Sequence, residues 1–410
     1  MFIFTKKDNI YIVNILFITI FFILNLSIYY SKYLDIKYEE VYKDKVQVLN
    51  IYKKKDFNIL KLSASNYNFF TSVPKDLVLD KLDHISIVFI TKELTFYDFL
   101  KGFYTKTINV EKLNIKTKRQ DISKYISSLH ENDLISQLFN ALFLAIPVNS
   151  ELREVFTNYS ISHLIALSGF HIVVLSFIVY WIVYYPYFIL QKKYFPYRNR
   201  KSDILIITFI LIFLYLIFTG FVPSLVRAFI MLMIGFVILR SNIKLFSFKT
   251  LGMTFLIAIS FFPNFLFSIG FWFSIGAVFY IFLYLQYFKH INKYVSFIFF
   301  NIWIFLVFNP IVHFFYENTT LEQLLSPILT IAFTLLYPIE IILHIMGFGN
   351  LLDTYLLDFI NYEFDVYQKY TNLNFLLLFI FLSIFSIFSK KIFYALNILI
   401  SVYNIYLFLL

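Results

Sequence analysis

The chain has 410 residues, of which 60% are hydrophobic and only 15% charged, with 35 Lys and Arg against 25 Asp and Glu and a mean hydropathy of +0.74. Soluble chains carry nearer a quarter charged residues, so this composition excludes a wholly water-soluble protein and puts most of the chain in lipid. The lack of cysteine excludes a disulfide framework, a thiol nucleophile and a Cys-ligated zinc site. The 55 Phe read as compositional bias and not as evidence for base stacking.

The first apolar run, Ile10 to Tyr30, is long enough to cross a hydrocarbon core of about 30 Å. Lys6 and Lys7 precede it, which keeps the N-terminus in the cytoplasm. Ser27 to Ser31 offers no small-x-small cleavage site, so residues 1–31 read as an uncleaved anchor. Between Ser31 and Asp133 lie 18 Lys and Arg and 14 Asp and Glu, which marks a water-exposed, extracytoplasmic module. Lys45–Tyr52, Phe57–Ala64, Asn66–Ser72, Ile85–Thr91 and Thr107–Leu113 are β-branched and aromatic, with polar breaks between them. Five short strands suit a small all-β barrel over 32–118, with an OB-like fold as one candidate. Residues 119–160 read as a linker with an amphipathic helix.

From 161 to the end the chain is a series of apolar runs. Lys and Arg gather at alternate breaks: Lys192, Lys193, Arg198, Arg200 and Lys201, then Arg240, Lys244 and Lys249, then Lys289 and Lys293, then Lys390 and Lys391. These breaks are cytoplasmic by the positive-inside rule. Acidic residues take the others: Glu317 and Glu322, then Asp353, Asp358, Glu363 and Asp365. With the anchor, the runs near 165–190, 204–221, 223–239, 245–262, 265–288, 294–316, 374–389 and 392–410 make about nine spans. Residues 324–346 have acidic flanks at both ends and hold Pro327 and Pro338, which predicts a re-entrant or broken helix. Leu351 to Tyr370 mixes acidic and apolar residues and predicts an amphipathic helix on the outer surface.

Polar groups inside the apolar runs form three constellations. His163, Ser168, Gly169 and His171 lie in a stretch, Val155 to Gln191, without a charged residue; Ser168 and His171 share a helical face. In Gly220-Phe-Val-Pro223-Ser224-Leu-Val-Arg227, the proline sets a helix start and Arg227 enters the membrane on its first turn. Glu340 and His344 stand four apart on a proline-interrupted apolar segment as a buried polar pair. Buried charges in lipid are costly and face a partner or a wet path. Gly270 and Ser274 make a small-xxx-small step, the pattern of a helix-packing face.

His163 to His171, read H-L-I-A-L-S-G-F-H, resembles a signature of the ComEC-type competence proteins, inner-membrane channels for DNA uptake in natural transformation. Thr219 to Ala228 is similar to that family's T-G-x-x-P-S-x-x-R-A step. Pro263 with Gly270-Phe-Trp-Phe-Ser274 is similar to its P…G-F-x-L-S segment, with Phe273 where Leu is usual. The three agree in order and spacing over about residues 130–345. The family also carries an OB-like domain after its first membrane segment. Many members continue into a metallo-β-lactamase-like domain; here the seven His form no H-x-H-x-D-H cluster, so degradation of the second strand falls to another protein.

The resemblance implies a channel for single-stranded DNA over 161–410 in a bacterial cytoplasmic membrane, neither an enzyme nor a holder of metal or cofactor. His163, Ser168, Gly169, His171, Ser224 and Arg227 are the candidates for the DNA path. Gly220, Pro223, Gly270, Ser274, Pro327 and Pro338 are the candidates for helix breaks or packing. Implied partners are single-stranded DNA, membrane lipid, an extracytoplasmic DNA receptor and a cytoplasmic motor or single-strand-binding protein, with homo-oligomerisation left open. No G-x-x-x-x-G-K-[ST] loop is present, so the chain carries no P-loop motor. Two rival readings stand beside this one. A small-solute secondary transporter also has broken helices and buried charges. A rhomboid-like intramembrane serine protease would use Ser168, although Ala166 stands where that motif has glycine.

Overall fold

The computed structural model describes residues 6–64, 67–238 and 247–409; Arg240 and Lys244 of the second basic break lie outside them. Helix α1 (Lys6–Tyr38) is about 50 Å long at 1.5 Å per residue, well beyond the expected anchor. Its extra turns do not stay in lipid. Tyr29, Tyr33 and Ile36 are buried in the core of the β-module, and the Tyr33 hydroxyl donates to the Leu94 carbonyl at 3.1 Å. The module therefore cannot be cut from its anchor at residue 31.

The module is a six-stranded sheet. Strand β1 (Val41–Lys53) pairs antiparallel with β2 (Phe57–Ser63) through its second half. β2 pairs with β3 (Asn68–Pro74). The first half of β1 pairs with β4 (His84–Ile90). A short helix, α2 (Phe96–Lys101), is capped by Thr95 and leads through Gly102, at φ +97°, into β5 (Phe103–Tyr104). β5 runs parallel to β3, while the strand right after it, β6 (Thr107–Leu113), pairs with β4. The two edges of the sheet, β5 and β6, are thus consecutive in the chain, and the Thr107 hydroxyl at the start of β6 donates to the Ser72 carbonyl of β3 at 3.2 Å. The alternating burial of β3 follows from the strand's period of two, with one face turned into a core of Phe69, Phe89, Phe99 and Phe103.

Residues 119–160, read as a linker with an amphipathic helix, hold several helices. Thr117 and Gln120 form a capping box that starts α3 (Lys118–Ser128). It is followed by α4 (Asp133–Leu144), α5 (Ser150–Asn158) and the one-turn α6 (Ser162–Ile165). α4 is buried on most of its surface, with Ile135, Leu138, Phe139 and Leu142 in one core with Phe333, Tyr337 and Ile360. This segment also holds the module. Gln120 Nε2 donates to the Leu82 carbonyl at 3.1 Å, and Lys81 Nζ donates to the Pro147 carbonyl at 2.6 Å. Burial at that joint pushes the Lys81 ammonium below its ordinary range.

Then come α7 (Gly169–Tyr194), α8 (Arg200–Thr219), α9 (Pro223–Ile238), α10 (Phe248–Phe261), α11 (Ile269–Tyr287) and α12 (Lys293–Phe315). After strand β7 (Asn318–Thr319) follow α13 (Ser326–Met346), α14 (Asp353–Ile360), strand β8 (Tyr367–Gln368), α15 (Leu373–Phe385) and α16 (Lys390–Leu409). Among the described residues seven helices are long and apolar enough to cross a membrane: α1, α7, α8, α11, α12, α13 with the turn before it, and α16. This is a multi-pass membrane protein. α9, α10 and α15 are apolar but shorter; the 14 residues of α10 reach about 21 Å.

Two expectations are corrected. Residues 326–346 are one continuous helix, not a broken one. Pro327 sits in the first turn, where no N–H is needed, and Pro338 removes a single backbone bond that the rest of the helix tolerates. The outer-surface helix expected over 351–370 covers only Asp353–Ile360. Beyond it the chain is extended, and β8 pairs with β7.

Candidate functional site

Three segments far apart in sequence meet where α7, α9 and α11 begin. Ser168 is the N-cap of α7. Its backbone N–H donates to His171 Nδ1 at 3.1 Å, and its hydroxyl oxygen lies 3.1 Å from the same nitrogen. Accepting there puts the ring's hydrogen on Nε2. That atom is fully buried and has no hydrogen-bond partner among the described residues; the Tyr337 ring meets the imidazole edge to face at 4.5 Å.

The second segment starts at a tight turn. Gly220 (φ +81°) and Phe221 (φ +54°) are both left-handed, which ends α8 and lets Pro223 open α9 with its preset φ. The Phe221 N–H bonds to the Leu216 carbonyl at 2.9 Å, and the Ser224 hydroxyl donates to the Leu167 carbonyl. One turn on, Arg227 is 7% exposed. Its Nε donates to Ser274 Oγ on α11 at 2.7 Å, and its Nη1 lies 3.4 Å from the Met231 sulfur. Arg227 has no ion-pair partner among the described residues. Of its five N–H groups, three therefore lack a protein acceptor there.

Gly169 is what lets the guanidinium sit so close. A Cβ at Gly169 would meet Arg227 Nη2 at 2.8 Å and the Ala228 Cβ at 3.3 Å. The cation thus rests against the first residue of α7, the positive end of that helix.

Other expected site residues sort as follows. Ser274, read as a packing residue, is the hydrogen-bond partner of Arg227. Gly270 stands in the first turn of α11, whose start Ser268 caps. His163 is exposed on α6, and its Nε2 lies 3.4 Å from Thr330 Oγ1 on α13; among the described residues it makes no hydrogen bond to Arg227 or to the Ser168–His171 cap. Glu340 and His344 do meet, with Nδ1 3.3 Å from the carboxylate, and Arg227 is not their partner. His344 also meets His130, which is remote in the chain, and His130 in turn meets Asp353, read in the sequence only as part of an acidic break; neither contact was legible, since only an i, i+4 pair is visible locally.

A family model described as "Competence protein" matches residues 147–409. No curated protein and no solved structure matches the chain. The matched span takes in the Ser168–His171 cap, the Arg227 turn and Ser274, and it is well over half of the chain, so this protein belongs to the competence protein family.

Proposed function

We propose that this membrane protein, whose family gives it a role in DNA uptake, conducts single-stranded DNA inward and that Arg227 touches its phosphates. The observation that carries the reading is the buried guanidinium, which has no ion-pair partner among the described residues. A desolvated cation without a counter-charge costs several kcal/mol, and its place at a helix N-terminus adds repulsion. An anion beside it reverses both terms, and a phosphate oxygen suits a planar fork of free donors. Ser168, Gly169 and His171 shape that spot on α7, Ser224 fixes α9 against Leu167, and Ser274 holds the guanidinium. His163 lies apart, nearer the α13 side.

The β-module supports an OB-like reading through its connectivity: β1 is shared between β2 and β4, and β5 closes parallel on β3. In this reading the module stands outside the cytoplasmic membrane, the basic breaks face the cytoplasm, and the shorter helices α9, α10 and α15 complete the passage. An inside-negative potential opposes DNA entry by about 2.3 kcal/mol per charge per 100 mV. Direction then comes from a cytoplasmic motor or strand-binding partner, with a receptor outside delivering DNA. The Ser168–His171 contact acts as a helix cap and not as a nucleophile–base pair: Nδ1 is shared with a backbone N–H, and among the described residues no carboxylate orients Nε2.

The test is Arg227→Ala beside Arg227→Met in a naturally transformable strain. Both are expected to abolish arrival of DNA in the cytoplasm while surface capture and membrane levels stay normal. Normal transformation by either variant removes Arg227 from the path. Labelling of Ser168 by a fluorophosphonate would instead favour the protease reading.

A further inference from the structure

Away from Arg227, four titratable side chains stand in a row. His130 Nδ1 lies 2.9 and 3.1 Å from the two carboxylate oxygens of Asp353. His130 Nε2 lies 3.1 Å from His344 Nε2. His344 Nδ1 lies 2.8 Å from the backbone carbonyl of Glu340 and 3.3 Å from its carboxylate. The His side chains are 0% and 5% exposed. Glu340 is 1% exposed, and neither of its carboxylate oxygens has a hydrogen bond among the described residues. Asp353 is partly open, at 17%.

The surroundings hold this geometry, and among the described residues the charged groups acting on His130 are those of the row itself. Phe139 stacks on His130 at 4.9 Å, and Phe139 and Phe143 close on the His344 ring at 4.3 and 4.9 Å. Gly349 makes room for that ring: a Cβ there would stand 3.0 Å from its Cδ2 and Nε2. The Tyr125 hydroxyl on α3 donates to the His344 carbonyl at 3.0 Å. With Tyr215 of α8 and Tyr337 of α13 it lines a cavity of about 230 Å³ beside His344. Among the described residues no three His, Asp or Glu are grouped to hold a metal ion.

The distances fix how many hydrogens the row needs. A carbonyl only accepts, so His344 Nδ1 must carry a hydrogen. If both rings are neutral, His344 Nε2 is then a bare lone pair, and His130 Nε2 has to donate to it. That leaves His130 Nδ1 bare against the Asp353 carboxylate. Moving the hydrogen to His130 Nδ1 sets two bare nitrogens face to face at 3.1 Å. One further proton removes every conflict; a second puts two imidazolium cations in contact.

We propose that His130 and His344 share one proton and that the row is a proton-transfer site linking Asp353 to Glu340. In the first arrangement His130 is the cation, bonded to Asp353 and donating to neutral His344. Transfer breaks the Nε2–H bond on His130 and forms one on His344. His130 stays bonded to Asp353 through Nδ1–H, and the new cation faces the Glu340 carboxylate. The proton count is the same in both, and each arrangement satisfies all four ring nitrogens, while the Glu340 carboxylate oxygens stay without a hydrogen bond among the described residues in either. The proton enters from water at the partly open Asp353 end. Burial pushes the His130 imidazolium below its ordinary range, and the Asp353 carboxylate opposes that push.

The test uses the full chain in lipid nanodiscs with ¹⁵N-labelled histidine, the signals assigned through His130→Gln and His344→Gln. At about pH 5, below the ordinary imidazole pKa of about 6.5, the two wild-type rings are expected to carry one imidazolium between them and to lose it in a single shared step as the pH rises. Replacing either ring is expected to weaken the other's hold on its proton at least tenfold. Two neutral rings at that pH, or two titrations that ignore each other, overturn the proposal. If neither glutamine variant folds, Asp353→Asn at the open end gives the same reading: at least a tenfold loss of proton affinity supports the site, and unchanged affinity overturns it. None of these readouts depends on DNA passage.

Discussion

Gly169→Ala isolates the position of the Arg227 guanidinium from the fold. Gly169 opens α7 without a left-handed backbone, so alanine fits the main chain, and helix propensity favours it by up to about 1 kcal/mol. The new methyl would stand 2.8 Å from Nη2, whereas uncrowded heavy atoms sit at about 3.5–4.0 Å. The flexible end of the arginine must swing by about an ångström, which breaks its 2.7 Å bond to Ser274. A hydrogen bond to a charged group contributes about 1.5–3 kcal/mol, so the net loss of stability is about 1–2 kcal/mol and the protein still inserts. A phosphate contact moved that far is lost, and transformation is expected to fall at least tenfold. The assay scores cytoplasmic arrival and surface capture separately, with membrane protein quantified by blot. The double variant with Arg227→Ala is expected to be no worse than Arg227→Ala alone, because the glycine acts through the arginine. Wild-type transformation by Gly169→Ala at normal protein levels, or independent losses in the double variant, would refute the argument.

Two further expectations concern the β-module and its joint. The Tyr67 hydroxyl donates to Asp44 at 2.5 Å, and burial, helped by that bond and the carboxylate's charge, raises its pKa far above the ordinary value near 10. The folded state then binds more protons than the unfolded one above pH 10, so this stabilisation is complete below pH 10 and is lost as pH rises beyond it. Amide exchange of β1 to β3 in the full chain should accelerate over that range, and Tyr67→Phe should flatten the dependence. Gln120→Ala removes both the capping box of α3 and the bonds to Leu82 and Asp83; a local loss of about 1–2 kcal/mol is expected. It should appear as faster exchange at 80–84 with α7 to α9 unchanged, and unchanged exchange at the joint would count against its role in docking.

The strands were legible because their period is two and one face is buried. The expected Thr107–Leu113 is β6 to the residue, and Phe57–Ala64 and Ile85–Thr91 each differ from β2 and β4 by one. β5 and α2 were not legible, since two residues show no alternation and six show less than two helical turns. Proline misled at 327 and 338, where position within the helix outweighs the residue's usual effect. The convergence of Gly169, Arg227 and Ser274 left no local trace: each sits in its own apolar run, and only the resemblance tied the three motifs together.

Helix α13 draws the remaining pieces into one frame. Thr330, Tyr337 and His344 are seven residues apart, so they lie along one stripe of the helix. Each meets a histidine from the preceding half of the chain: Thr330 meets His163, Tyr337 meets His171, and His344 meets His130. The stripe is about 21 Å long at 1.5 Å per residue. A break at Pro338 would have separated its lower contact from the upper two. Because the helix is continuous, the cap beside Arg227 and the His130–His344 pair are positioned against one and the same element.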